Sequence, residues 1–356
     1  MTNGKSGNQR TTPPGRILIV KLSAIGDVLM ATPAASALRL AYPDAYIAWV
    51  VERKSADVVI GNPYVDEVIV WDRVKGRGLI ADMVSFVTNL TRLSRELRKH
   101  QFDAALDLQG LLRSAAVCLA SGAKRRYGFS DAGEGAPALY NEKYTPEPGD
   151  LNAQQRNLDL LRLVGVQSEN TDMYMPVTPE DEDYADQFLA QRGLENQKVV
   201  GFLPATTWVN KHWVPEAWAQ LADILAEEYG ARPLIFGSKA DVALAEKICA
   251  MTRHTPVIAA GHTTLKQAGA LMKRCAAVIG VDTGLLHMSV ALGRPTVGLF
   301  GASVWKCFLK RDDFVWIAKD FPCMPCLRHP TCQDVDCMRA ITAHDVADGV
   351  RRFLEE

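Results

Sequence analysis

Two doubly wound, parallel-sheet α/β domains of Rossmann type, facing one another across a cleft, are what the sequence predicts. Three observations carry the prediction. Short, β-branched apolar runs alternate with stretches of helical apolar spacing, as expected of a sheet covered on both faces. The order strand, polar loop, helix, turn, strand that opens at residue 16 opens again at residue 198. The chain has 356 residues, 48% of them hydrophobic and 23% charged, which is enough length and an ordinary composition for two cores.

Taken in order, residues 1–15 (MTNGKSGNQRTTPPG) read as a flexible polar tail. Residues 16–22 (RILIVKL) are a buried strand, followed by helical spacing from about 27 to 41. Pro33 either kinks that helix or lies near its true start. Strands follow at 46–51, 67–71 and 104–108, with a long amphipathic helix over 79–100 and helical spacing at 110–121 and 151–165. The acidic, proline-containing run MPVTPEDEDY then marks a boundary, dividing residues 16–176 from 177–340. The second half repeats the plan with a strand at 198–203, a polar loop, a helix at 214–229 and a strand at 232–236. Residues 276–281 and 296–300 are strands around a short helix at 285–292, and a last amphipathic helix covers about 343–354.

The loops carry the chemistry. LSAIGDV after the first strand has one glycine where a dinucleotide site needs G-x-G-x-x-G, and no Walker A sequence occurs. An NAD enzyme and a P-loop NTPase are thereby disfavoured. Asp27 in that loop has two readings, a base that accepts a proton from an attacking hydroxyl or a cap for its own helix. In the equivalent loop of the second half, Thr206, Thr207 and Lys211 are the parts of a diphosphate cradle, unless the loop is merely solvated. Trp213 and Trp218 suit core packing, whereas Trp208 could stack on a ligand. Asp282, Thr283 and Gly284 join the end of a strand to a helix N-terminus, where an open α/β sheet binds anionic ligands. Gly284 is accounted for by turn geometry and a close phosphate approach. His287, flanked by apolar neighbours, reads from spacing alone as a packed residue before a ligand contact.

Net charge is −1, so no global field recruits nucleic acid. Residues 1–176 carry 21 − 19 = +2 and the remainder 19 − 22 = −3, a slight bias toward an anionic partner for the first half. No stretch approaches the ~20 apolar residues of a membrane span, which points to a cytosolic protein with room for a peripheral membrane contact. Eight cysteines in such a chain argue for reduced thiols or a metal site. Cys323, Cys326, Cys332 and Cys337 (C-x2-C-x5-C-x4-C) begin with a knuckle that suits structural zinc, although the second pair is spaced loosely.

Three motifs together, ILIVKLSAIGDVLMATPA (17–34), ATTWVNKHWVPEAW (205–218) and VIGVDTGLLHMSVALGRP (278–295), resemble the ADP-heptose:lipopolysaccharide heptosyltransferases. DLQGLLRSA (107–115) and RRYGFS (125–130) are similar to that family's acceptor domain, and Thr206-Thr207 with Lys211-His212-Trp213 is most similar to its type I members. The resemblance implies a GT-B fold and inverting transfer of heptose from ADP-heptose to a Kdo–lipid A type acceptor, without a required cofactor. By position it makes Asp27 the general base, and assigns Thr206, Thr207, Lys211, Asp282, Thr283, Gly284 and His287 to the donor. Asp241 is a further candidate for the donor ribose, and Lys21 and Arg113 are candidates on the acceptor side. Gly133–Pro137, Asn152–Gln154 and Gly301–Val304 depart from the family's usual segments. Another nucleotide sugar or acceptor, a non-catalytic sugar-nucleotide binder and a thiol or metal regulator are the alternative functions.

Overall fold

The computed structural model describes residues 13–72, 78–147, 152–303, 311–327, 332 and 334–355. Most of the N-terminal tail (1–12) and Val304 lie outside them. The first half runs β1 (Arg16–Val20), α1 (Ile25–Leu29), α2 (Thr32–Ala41), β2 (Tyr46–Glu52), α3 (Arg53–Ala56), β3 (Glu67–Trp71), α4 (Leu79–Leu97), β4 (Ala104–Asp107), α5 (Leu112–Ala120), β5 (Arg125–Phe129), β6 (Glu142–Tyr144) and α6 (Ala153–Leu160). The second half runs α7 (Pro179–Ala190), β7 (Lys198–Leu203), α8 (Pro215–Tyr229), β8 (Ala231–Ile235), α9 (Val242–Cys249), β9 (Val257–Ile258), α10 (Leu265–Lys273), β10 (Ala277–Val281), α11 (Gly284–Ala291), β11 (Thr296–Phe300), β12 (Phe314–Ala318), α12 (Asp336–Arg339) and α13 (Ala343–Arg351).

Each half forms a six-stranded sheet, in the orders β3-β2-β1-β4-β5-β6 and β12-β11-β10-β7-β8-β9. The named strand pairs within both sheets are parallel. Numbered within its own half, the second order reads 6-5-4-1-2-3, which is the first order viewed from the other end. The repeat legible in the sequence is therefore a repeat of winding. It gives each half one switch point, between β1 and β4 and between β7 and β10, and loops at such points are where open α/β sheets bind ligands.

The predicted single helix over 27–41 is two helices. Pro33 lies in the first turn of α2, where a missing N–H costs nothing, so it marks a start and not a kink. The acidic run read as a boundary is largely the first turn of α7. Thr178 accepts from the Asp181 N–H while Asp181 reaches back to Thr178, with Pro179 next. α7 belongs with the second sheet: Arg274, the C-cap of α10, pairs with Asp186 at 2.8 Å and with Glu182. One buried apolar cluster extends from Ile17 and Trp49 through Met175 to Leu271 and Met288, so the halves share core as well as facing each other. A second cluster centres on Trp213 and Trp218, edge to face at 5.0 Å, with the Trp213 indole donating to the Ile341 carbonyl. Both indoles are core, as their spacing suggested. The α9–β9–α10 segment, β12 and the short β6 were not read from the sequence.

Candidate functional site

β1, β7 and β10 end at their sheets' carboxyl edges, and the loops leaving them line one cavity of about 830 Å³ between the halves. Ser23 to Asp27 contribute from the first half, and Thr206, Thr207, Trp208, Lys211, Asp282, Thr283, Gly284 and His287 from the second. Residues some 255 positions apart along the chain thus meet because the two switch points face each other.

On the second-half wall, Asp282 is the organising group. Its carboxylate accepts from Lys211 Nζ at 2.6 Å and from Ser303 Oγ at 2.5 Å, and His287 Nε2 stands 4.0 Å away. Burial pushes this carboxyl up, but Lys211, His287 and Ser303 outweigh it and hold it below the usual carboxylate range. Thr206 Oγ1 donates to the Asp282 carbonyl at 3.1 Å, and a His212 ring nitrogen lies 2.8 Å from the Thr206 carbonyl oxygen. The cradle loop is thereby tied to the β10 loop. Lys211 Nζ also lies 3.9 Å from the centroid of the Trp208 ring. Thr283 is the N-cap of α11 and its side chain makes no capping hydrogen bond. The first amides of α11 therefore lack a side-chain acceptor from their own cap, and Thr283, Gly284 and Leu285, which open the helix, line the cavity.

On the first-half wall, the Asp27 carboxylate accepts the Ala24 N–H at 3.2 Å and lines the cavity, so the cap and the base reading share one geometry. The loop is braced from β4. Gln109 Oε1 accepts the amides of Leu22 and Ser23, both at 3.2 Å, and Arg113 bonds Ser23 Oγ at 2.7 Å and Glu52 at 3.1 Å. Asp107, wholly buried, accepts from Tyr140 at 2.6 Å, from Ser114 at 2.8 Å and from the Gln109 and Gly110 amides. Burial raises its carboxyl and these bonds oppose the rise.

The halves interlock where a side chain is absent. A Cβ on Gly26 would come within 2.5 Å of His287 Cδ2, and one on Gly284 within 3.0 Å of Ile25 Cβ. Gly284 does not take a positive φ; it opens α11 and makes room for Ile25, which replaces the turn-geometry account of it. His287 is 8% exposed and lines the cavity, so it is both packed and a cavity wall. Burial holds its imidazole below the ordinary value, against the pull of Asp282 and Asp27. Gly26→Ala should therefore displace the imidazole, destabilise the fold by about 1–3 kcal/mol and lower turnover. A thermal melt within one degree of the parent would count against this packing.

Lys21 is buried and donates to the Leu108 carbonyl at 2.8 Å. Burial lowers its ammonium, opposed by Asp27 and Asp107, with Arg156 adding to the fall. It lines a smaller cavity of about 240 Å³ with Gln109, Asp131 and Arg156. Arg156, paired with Asp131 at 2.5 Å and stacked on Phe129, is a cation that sequence reading missed. Arg113 is committed to bracing the Ser23 loop. Asp241 does not line the main cavity; its carboxylate accepts the Ser238 N–H and O–H, both at 2.7 Å.

Cys323, Cys326 and Cys332 are half-buried and Cys337 buried, all as free thiols. Burial, and then charge on the other three, pushes the Cys337 thiol up. Among the described residues no three His, Cys, Asp or Glu side chains converge to hold a metal ion, so these thiols do not fit a zinc site as they stand. The loop instead buttresses the cradle, since Asn210 Nδ2 donates to the Leu327 carbonyl at 2.6 Å. Cys307 lies outside the described residues.

The model of glycosyltransferase family 9 (heptosyltransferase) matches residues 90–334. Lipopolysaccharide heptosyltransferase 1 of Salmonella typhimurium is 30% identical over 290 residues, covering 80% of this chain and 88% of that protein. A glycosyltransferase family 9 structure from Veillonella parvula superposes with a TM-score of 0.82 at 23% identity, over 96% of this chain and 97% of that one. Escherichia coli heptosyltransferase WaaC, solved with ADP, superposes with a TM-score of 0.67 at 26% identity, over 96% and 98%. The two facing parallel sheets are the GT-B fold of those structures. The chain is a glycosyltransferase and belongs to family 9, the heptosyltransferases.

Proposed function

We propose that this enzyme transfers heptose from ADP-heptose to a Kdo–lipid A type acceptor of the lipopolysaccharide inner core, with inversion at the anomeric carbon. One observation carries the reading: a carboxylate on one cavity wall faces a lysine, hydroxyls and an uncapped helix N-terminus on the other. In this division of labour, residues 16–176 take the acceptor and 177–340 the donor. Thr206, Thr207, Lys211 and the α11 amides, with Thr283 and Gly284, cradle the diphosphate, and Asp282 and His287 line the donor pocket. Asp27 accepts the proton of the acceptor hydroxyl as its oxygen attacks the anomeric carbon. The bond from that carbon to the diphosphate oxygen breaks, and ADP leaves with its charge met by Lys211 and the helix N-terminus. Lys21 and Arg156 are the cations available to an anionic acceptor beside Asp27. The likeness to a type 1 heptosyltransferase and to an ADP-bound relative supports donor and step.

The test is incubation with ADP-heptose and Kdo2–lipid A. Release of ADP with a heptosylated product is the expected result. No turnover there, with turnover on an already heptosylated acceptor or on a UDP- or GDP-sugar, would overturn the assignment of step or donor. Binding of ADP-heptose without transfer to any acceptor would favour a binding protein.

A further inference from the structure

α4 is longer than the sheet it covers. Phe86, Leu90, Leu93 and Leu97 form its packed stripe, with Leu93 and Leu97 buried beside Leu18, Val50 and Trp71. Phe86 meets Trp71, the last residue of β3, at 5.9 Å between ring centroids. The turns before Phe86 therefore extend beyond the carboxyl end of the strand. That is the edge where the main cavity opens: Lys54 and Ser55 of α3 line the cavity, and the adjacent Arg53 pairs with Asp72 at 2.8 Å, next to Trp71.

The outward face of this overhang and of the turn that follows it is apolar. Met83 is 63% exposed, Val84 61% and Val87 56%, all on one side of the helix by their spacing. Single exposed apolar residues are ordinary, but three adjoining ones on an overhanging helix end form a patch. Thr88, Thr91, Arg92 and Arg95 continue the exposed face, and Arg98 and Lys99 come next at the helix end. Arg92 lies about 12 Å along the axis from Val84. Asp82 and Glu96 are the exposed acidic residues of the helix, Asp82 in the first turn where the helix dipole favours it. An apolar end succeeded by arginines fits a bilayer surface, with the apolar groups among acyl chains and the guanidinium groups at phosphate depth.

We propose that the outward face of α4, Met83, Val84 and Val87 with Arg92 and Arg95 behind them, rests on a bilayer containing anionic lipid. The proposal depends on the acceptor being lipid-linked, as proposed for the transfer reaction: docking here would hold the cavity mouth at the membrane surface. Among the described residues no helix is long and apolar enough to cross a membrane, so this is contact with a surface.

Flotation of the full chain with vesicles tests it. The protein should float with phosphatidylethanolamine vesicles containing phosphatidylglycerol and stay behind with phosphatidylcholine alone. Met83→Asp/Val84→Asp/Val87→Asp should abolish flotation, and Arg92→Ser/Arg95→Ser should weaken it about 10- to 30-fold at low salt. Both variants should melt with the parent, because these side chains are exposed. Failure of the parent to float on anionic vesicles, or flotation of the triple variant, overturns the proposal. A parent dimer that the triple variant converts to monomer, with no vesicle binding by either, assigns the face to a second copy and also overturns it. Flotation needs no turnover, so a wrong donor or acceptor assignment leaves its result standing.

Discussion

Asp27→Asn is expected to lower kcat by about 10²–10⁴-fold while leaving ADP affinity within about twofold. Asparagine keeps an oxygen that can accept the Ala24 N–H at 3.2 Å, so the turn into α1 survives. What it loses is the capacity to take a proton. The substitution therefore separates the two roles that Asp27 geometry leaves joined. If Asp27 only fastened the loop, the Asn variant would turn over near the parental rate. Asp27→Ala would then differ mainly by the loss of a cap, about 1 kcal/mol in stability. Base catalysis predicts instead that both variants are inactive and that only Ala is less stable. Product release by rapid quench, together with titration of ADP, distinguishes the outcomes, and a normal single-turnover rate for Asn would remove Asp27 from the chemistry.

The parts of this site that were legible in the sequence are those fixed by local rules. Apolar β-branched runs located β1, β7, β10 and β11, and the polar residues closing them located the loops at both switch points. Loops at such points converge because the winding repeats, but it is the resemblance of their motifs to the heptosyltransferases that assigns Asp27, Lys211 and Asp282 to one site. The bracing was not legible. Gln109 holds Ser23 from 86 positions away along the chain, and Ser303 reaches Asp282 from beyond the end of another strand. Neither contact has a periodicity to betray it. Gly26 against His287 and Gly284 against Ile25 depend on how closely the halves approach, which spacing within one half does not encode. The acidic run at residue 180 carries a helix start that its composition conceals. A capping box opening α7 has the composition of a linker, and only the helical spacing of the residues after it tells the two apart.

Lys211→Ala should raise the KM for the donor and cut kcat, together about 10²–10³-fold in kcat/KM, with a melt several degrees lower. The fall in stability comes from the ion pair itself. Lys211 and Asp282 have side chains only 13% and 14% exposed, and removing the ammonium leaves that carboxylate with Ser303 and the buried His287. Its carboxyl, now held low, should then titrate upward, because the largest influence opposing its burial is gone. The same pair explains why the loss in catalysis should exceed that of one hydrogen bond. Without donor, Lys211 is held by Asp282; a diphosphate entering at α11 competes for it, so the lysine is already fixed at the cavity wall when charge develops on the leaving group. Lys211→Arg keeps the charge and can still pair with Asp282 and stack on the Trp208 ring, but it spreads that charge over a longer planar fork in place of a compact ammonium 2.6 Å from Asp282. It should restore stability more fully than turnover. An Arg variant with parental kcat/KM would reduce Lys211 to a structural counter-ion for Asp282, and would shift the leaving-group role to Thr206, Thr207 and the α11 amides.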